Sequence, residues 1–231
     1  MASDSLELTD RQVQSVSVST GFYRKRGKRI FDCAASAVGL LLLSPLFCLV
    51  AVLVKLTSTG PAFYRQRRVG KGGREFKIIK FRSMEADAER RGPPITSAGD
   101  MRVTGLGRVL RRLKIDELPQ LWNVLKGEMS LVGPRPELPQ YVADYTSHQR
   151  QVLTVRPGIT DPASLAYRHE EELLGRQADP EAFYHGSVLP RKLQLNLSYL
   201  EQVSFTSDFG LIVLTLKSLL LPSSRDHAQD N

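Results

Sequence analysis

A chain of 231 residues suits one compact domain plus an anchor, and residues 61–231 alone are long enough to bury a core. The net charge of +8 is unevenly placed, at +3 over residues 1–60, +10 over 61–114 and −5 over 115–231. So basic a stretch suits anionic headgroups, phosphorylated substrates or nucleic acid; the last is set aside, because aromatic interleaving is thin and no finger or RNP-type signature occurs.

Residues 1–23 read as a flexible N-terminal tail, polar at first and without sustained periodicity. Residues 24–58 form the hydrophobic element. The 22 residues 33–54 carry no charge, with Arg24, Lys25, Arg26, Lys28 and Arg29 before them and Lys55, Arg65, Arg67 and Arg68 after. As one helix they would measure roughly 33 Å, enough for a hydrocarbon core of ~30 Å. Lys and Arg beside a membrane segment favour the cytoplasmic side, and here both ends qualify. A bend at Ser44-Pro45 would let the segment dip into one leaflet and return, with the Ser44 hydroxyl satisfying a carbonyl freed by the kink. A kinked spanning anchor is the alternative. The run exceeds a usual signal-peptide core and no small-x-small cleavage site follows, so it stays with the mature chain. Cys33 and Cys48 both lie within it and read as reduced packing or lipid-facing thiols. No Cys/His spacing resembles a zinc site.

Residues 59–222 read as the compact domain. Residues 62–69 and 74–81 look like two strands joined through Gly70-Lys71-Gly72-Gly73, and 84–101 like a surface excursion. Val103, Leu106, Leu110 and Leu113 predict a short helix with a basic face. Leu118, Leu121, Trp122 and Leu125, at i, i+3, i+4 and i+7 with Gly127 as a stop, predict a helix over 118–125. Trp122 would be a core or interface anchor. A helix is expected over 137–148, a turn at 156–160, and further helices over 164–174 and 190–203. Residues 209–221 are too few to span and suit a core helix or one lying in the interface. Residues 223–231 read as a flexible tail.

The chemistry concentrates at Lys114-Ile115-Asp116-Glu117-Leu118-Pro119-Gln120. In the plainest reading Asp116 caps a helix, Glu117 complements its dipole, and neither reacts. Three features favour chemistry instead. Arg111, Arg112 and Lys114 crowd the pair and favour ionised carboxylates. Adjacent carboxylates can hold Mg²⁺ together with substrate phosphates. An anionic Asp beside a neutralised pyrophosphate is a competent nucleophile. Farther on, Pro134 and Pro136 fix the backbone around Arg135, a rigid mount for bidentate contact with a phosphate or a base edge, or simply a stiff turn with a solvated Arg. Lys80 and Arg82 flank the end of the second strand, facing either a phosphate or solvent.

Together these stretches resemble the bacterial sugar transferase family, the small monotopic phosphoglycosyl transferases that act on polyprenol phosphate. The resemblance rests on the basic cluster leading to Phe31-Asp32, on Ser44-Pro45, and on Gly60-Pro61-Ala62-Phe63 with Gln66. Lys80 through Met84, Asp116 through Pro136, and Pro157-Gly158-Ile159-Thr160 complete it. It implies an α+β, mainly helical fold: a re-entrant membrane helix broken at Ser44-Pro45, and a compact cytoplasmic catalytic domain with a small β-hairpin and interfacial amphipathic helices. It implies transfer of a sugar 1-phosphate from a UDP-sugar to undecaprenyl phosphate, with Mg²⁺ required and UMP released. By the same resemblance Asp116 is the nucleophile of a ping-pong sequence. Glu117 joins Asp116 on the metal or deprotonates the acceptor, and Lys80, Arg82, Arg111, Gln120, Asn123, Arg135 and Arg168 bind substrate. It further implies anionic lipids as partners, a homodimer as one option, and the cytoplasmic face of a bacterial inner membrane. The step would be the first membrane step of a surface polysaccharide or glycoconjugate pathway. Three departures stand out: Glu128 where Asp is common after Gly, Asp161-Pro162-Ala163-Ser164 where other members carry Gly-Trp-Ala-Gln, and no multi-span N-terminal half, which points to the minimal form. The donor sugar and the pathway stay open.

Overall fold

The structure, a computed structural model, describes residues 22–220, so the tails expected at both ends lie almost wholly outside the described residues. Phe22 and Tyr23, expected in the first tail, already belong to helical backbone that runs through a π-helical turn, Tyr23–Gly27, into α1, Lys28–Leu42. Next comes α2, Ser44–Thr57, bent by 61° from α1 at Leu43. The break relieves the proline. Pro45 falls in the first turn of α2, where its missing N–H has no intrahelical acceptor to lose. Ser44 Oγ donates to the Leu41 carbonyl at 2.8 Å, as the sequence suggested for a kink at this point. Among the described residues no single helix is long and apolar enough to cross a membrane; the bent pair together has the length and composition.

Each half of the hairpin has a face that the rest of the chain covers. On α1, the buried Asp32 accepts from Ser130 Oγ at 2.7 Å and from the Leu131 N–H at 3.1 Å. Arg29 donates to the carbonyls of Val124 and Leu125 at 2.6 and 2.9 Å. Those carbonyls end α4, Gln120–Lys126, so a guanidinium caps the negative end of that helix. On α2, Val50 and Val54 are buried against Phe81 and Leu110, with Ile115 alongside. The opposite faces, including Leu41, Leu42, Leu49, Val52 and Leu56, are exposed.

The two expected strands form as β1, Phe63–Val69, and β2, Glu75–Phe81, paired antiparallel through a short Lys71–Gly73 turn. The excursion after them is organised by a residue that carried no sequence signal. Arg102 pairs with Asp100 and donates to the carbonyls of Ala88, Pro93 and Ile95 at 3.2, 2.8 and 3.0 Å. The basic helix is α3, Gly105–Arg112, and the Trp-bearing one is α4, ended by Gly127. Trp122 is half exposed, so it is no core residue.

Three expectations need correction. The 156–160 turn carries a strand: β4, Gly158–Thr160, pairs parallel with β3, Ser130–Val132. Strands of three residues are too short to show a period. Their pairing is very close, since a Cβ on Gly158 would lie 2.1 Å from the Gly133 nitrogen. The helix expected over 137–148 is only α5, Pro139–Ala143. Thr146 and Gln149 form a reciprocal capping pair that restarts the chain as a 3₁₀ segment, Gln149–Thr154. The helix expected over 164–174 is two: α6, Pro162–Ala166, capped by Asp161, and α7, Glu170–Gly175.

A short α8, Pro180–Phe183, leads through a π-helical turn into α9, Leu189–Glu201, whose Leu189, Leu193 and Leu197 enter the main core with Val132, Tyr141 and Leu174. The last described helix, α10, Phe205–Leu220, is tied to the base of the hairpin. Buried Asp208 accepts from Tyr23 and Tyr199 at 2.7 and 2.6 Å and pairs with Lys28. Phe205, Phe209, Leu214 and Leu216 remain exposed. The described residues are thus mostly helical, with two small two-stranded sheets among them.

Candidate active site

A broad cleft runs between β1–β2, the excursion, α3 and the α6–α7 region, lined by Lys80, Arg111, Lys114, Asp116, Glu117 and Arg135 among others. Asp116 and Glu117 sit in a single 3₁₀ turn, Ile115–Glu117, between α3 and α4. Ile115 packs against the cluster formed by α2, Phe81 and Leu110. The inner face of the hairpin therefore helps fix the position of the dyad. The simple capping reading fails: the N-cap of α4 is Pro119, with no side-chain cap bond, and Asp116 is 5% exposed with Oδ1 lacking any described partner.

The two carboxylates live in opposite environments. Both Glu117 oxygens accept from Arg135, Oε2 from Nη1 at 3.0 Å and Oε1 from Nη2, and Oε1 also accepts from Lys80 at 2.8 Å. Burial alone would raise the Glu117 carboxyl, but Arg135 and Lys80 outweigh it and hold the group well below the usual range. Asp116 goes the other way. Burial, then the neighbouring Glu117 charge, raises its carboxyl, with Lys80, Arg111 and Lys114 opposing. A fixed anion thus stands beside a carboxyl of higher basicity.

Arg135, flanked by its prolines, makes its planar two-toothed contact with the dyad itself. Its position follows from the close β3–β4 pairing, because the turn carrying it leaves β3 at Gly133, whose N–H donates to Thr160 O at 3.0 Å.

A sequence model of the bacterial sugar transferase family matches residues 23–222. The chain belongs to that family. It is 39% identical over 196 residues to a UDP-N-acetylgalactosamine-undecaprenyl-phosphate N-acetylgalactosaminephosphotransferase of Aeromonas hydrophila, a match covering 84% of this chain and 43% of that protein. It is 43% identical over 205 residues to an undecaprenyl-phosphate glucose phosphotransferase of Komagataeibacter xylinus, covering 82% and 35%. A UDP-glucose:undecaprenyl-phosphate glucose-1-phosphate transferase of Caulobacter vibrioides is 37% identical over 206 residues, covering 84% and 69%. The chain thus spans less than half the length of the first two relatives.

In this chain the residues expected at the site divide into groups. Asp116, Glu117, Lys80, Arg135 and Arg111 come together in the cleft, and Arg111 is paired with Glu171 of α7. Arg168 also lines the cleft and donates to His169. Arg82 lines it too, but is 6% exposed and donates to the carbonyl and hydroxyl of Ser58 at 2.8 and 2.9 Å, latching the end of α2 onto β2. Gln120 and Asn123 are fully buried and do not line the cleft. Asn123 is spent on structure: it accepts from the Ile79 N–H at 3.0 Å and donates to Lys77 O and Glu128 at 2.8 and 2.7 Å. Glu128, one of the departures from the family pattern, keeps the charge and accepts this bond from Asn123. Sequence reasoning missed Glu171, a plain charge in an acidic run, because only the fold shows what it faces.

The donor set suits a magnesium ion shared with substrate better than one caged by protein. Among the described residues no three His, Cys, Asp or Glu side chains gather as ligands. Glu117 is taken by two cations of the chain, which leaves the unpartnered Asp116 Oδ1 as the free carboxylate oxygen. One or two carboxylates plus substrate phosphates is a usual magnesium arrangement.

Proposed function

We propose that the chain transfers a sugar 1-phosphate from a UDP-sugar to undecaprenyl phosphate, releasing UMP, through a phosphosugar ester on Asp116. The observation that carries this is the contrast within the dyad: Asp116 buried with an unpartnered oxygen, beside a Glu117 fixed by Arg135 and Lys80. The relatives named above carry this class of reaction in their names.

In this scheme the cleft cations bind the donor pyrophosphate. An Asp116 oxygen bonds to the phosphorus that bears the sugar as the bond from that phosphorus to the UMP oxygen breaks, and UMP leaves with the electron pair. The acceptor's phosphate oxygen then attacks the ester and Asp116 is freed. Glu117 holds Arg135 and Lys80 in place, so that the positive field exists before substrate arrives. Magnesium, when bound through Asp116 and the substrate phosphates, supplies further neutralisation of the pyrophosphate.

The same proposal makes the bent α1–α2 pair a re-entrant dip into the cytoplasmic face of a bacterial inner membrane, with residues 59–222 as the catalytic domain. Exposed apolar faces on both arms and on α10 support it, as does the cost of leaving so large an apolar surface in water. The dyad then sits at headgroup depth, where a soluble nucleotide sugar and a lipid phosphate can both reach. Screening a panel of UDP-sugars for Mg²⁺-dependent UMP release, with and without undecaprenyl phosphate, tests the reaction and names the sugar. Absence of UMP from every donor would defeat it.

A further inference from the structure

Two helices near the dyad end in left-handed backbone by different means. α4 stops at Gly127, φ 88°, the residue type that has no Cβ to clash. α3 stops at Lys114, φ 54°, the one non-glycine residue with positive φ among the described residues. The closure at Lys114 is otherwise ordinary, with its N–H donating to Arg111 O at 3.0 Å and the Leu113 N–H to Val109 O at 3.1 Å. A glycine would make the same bonds without strain. The residue is exposed, so packing does not call for its side chain either.

Its charge is what remains to be explained. Lys114 lines the cleft two residues before Asp116, and both dyad carboxyls feel its positive field. The other cations beside the dyad are engaged, Lys80 and Arg135 with Glu117 and Arg111 with Glu171. No described residue accepts a hydrogen bond from the Lys114 ammonium. We propose that Lys114 is a phosphate-binding residue of this cleft, held in left-handed backbone so that its ammonium meets a phosphate oxygen of the substrate presented to Asp116. The phosphate belongs either to a nucleoside diphosphate or to a lipid phosphate, and the assignment rests on the reading of the cleft given above.

The test uses the full-length protein in phosphatidylcholine nanodiscs, with affinities measured for UDP and, separately, for undecaprenyl phosphate doped into the discs. Lys114→Gly and Lys114→Asn both suit left-handed backbone and both remove the charge; Lys114→Arg keeps it. The expected result is about a tenfold loss of affinity for at least one ligand in the Gly and Asn variants, the scale of one charge-assisted hydrogen bond. Lys114→Arg should recover most of it, the loss should shrink in high salt, and Lys114→Gly should melt no lower than the wild type. Loss for UDP alone assigns the donor, loss for the lipid alone assigns the acceptor, and loss for both assigns a shared subsite. Changes below about twofold in both arms would overturn the proposal, as would an equal loss in Lys114→Arg with a lower melting temperature. These affinities need no turnover. A protein that binds the probes through Lys114 but releases no UMP would sink the proposed reaction alone, while a wild type that binds neither sinks both.

Discussion

Asp116 and Glu117 are adjacent in sequence and chemically opposite in place, and this contrast governs what substitutions should do. Asp116→Asn preserves shape and removes the proposed nucleophile, so UMP release should fall by at least about 10³-fold with little change in melting temperature. Near-normal turnover in that variant would remove Asp116 from the reaction. Glu117 depends on Arg135, whose fork a lysine cannot reproduce. Arg135→Lys should therefore cost about 1–2 kcal/mol of stability and lower turnover by roughly 10–100-fold, read by thermal melts and UMP assays in parallel. A pH profile gives an independent view. Burial raises the Asp116 carboxyl, so its ionised form disappears at a higher pH than that of an exposed aspartate at ~3.9. The rate of the first half-reaction should accordingly fall with falling pH, with its midpoint above that value. A midpoint at or below it would contradict the buried setting.

At the scale of elements, the hairpin is seated by polar contacts more than its composition suggests. Asp32 accepts from Ser130 and Leu131 and so pins α1 to β3, the strand that leads to the Arg135 turn. Asp32→Ala leaves the Leu131 N–H unpaired, while Ser130 Oγ keeps the Val132 carbonyl at 3.0 Å as an acceptor, and should destabilise the protein by about 1–3 kcal/mol, visible as a lower melting temperature. Gly158→Ala should cost a similar amount, about 2–3 kcal/mol, since its Cβ would enter the Gly133 backbone. These contacts also show why some elements could be read in the sequence and others could not. The β-hairpin, α3 and α4 carry local patterns: alternation, apolar spacing and a glycine stop. The bend could be read because Ser44-Pro45 is a local instruction. β3 and β4 are three residues each, and their pairing is dictated by glycines that only meet in the fold. The 137–148 helix was over-extended because Thr146 and Gln149, which restart the chain, look like ordinary polar residues.

For the molecule as a whole, the charge gradient and the apolar run already set a basic domain beside a long apolar segment. The dyad motif pointed to residues that the fold places in the cleft. The division of labour inside the site was not legible. Asn123 and Arg82, like Asp116, lie in stretches that carry the family resemblance, and nothing local shows that one bonds a strand and the other latches a helix end. If the hairpin is re-entrant, tags at residue 5 and at the C-terminus should both stay inaccessible from the periplasm of intact cells, and exposure of either would refute that topology. The most direct test of the central claim is mass spectrometry of protein incubated with its UDP-sugar and Mg²⁺ in the absence of acceptor, then digested. The account predicts a phosphosugar adduct on the peptide bearing Asp116, chased off by undecaprenyl phosphate. Product accumulating with no adduct trapped on that peptide would contradict it.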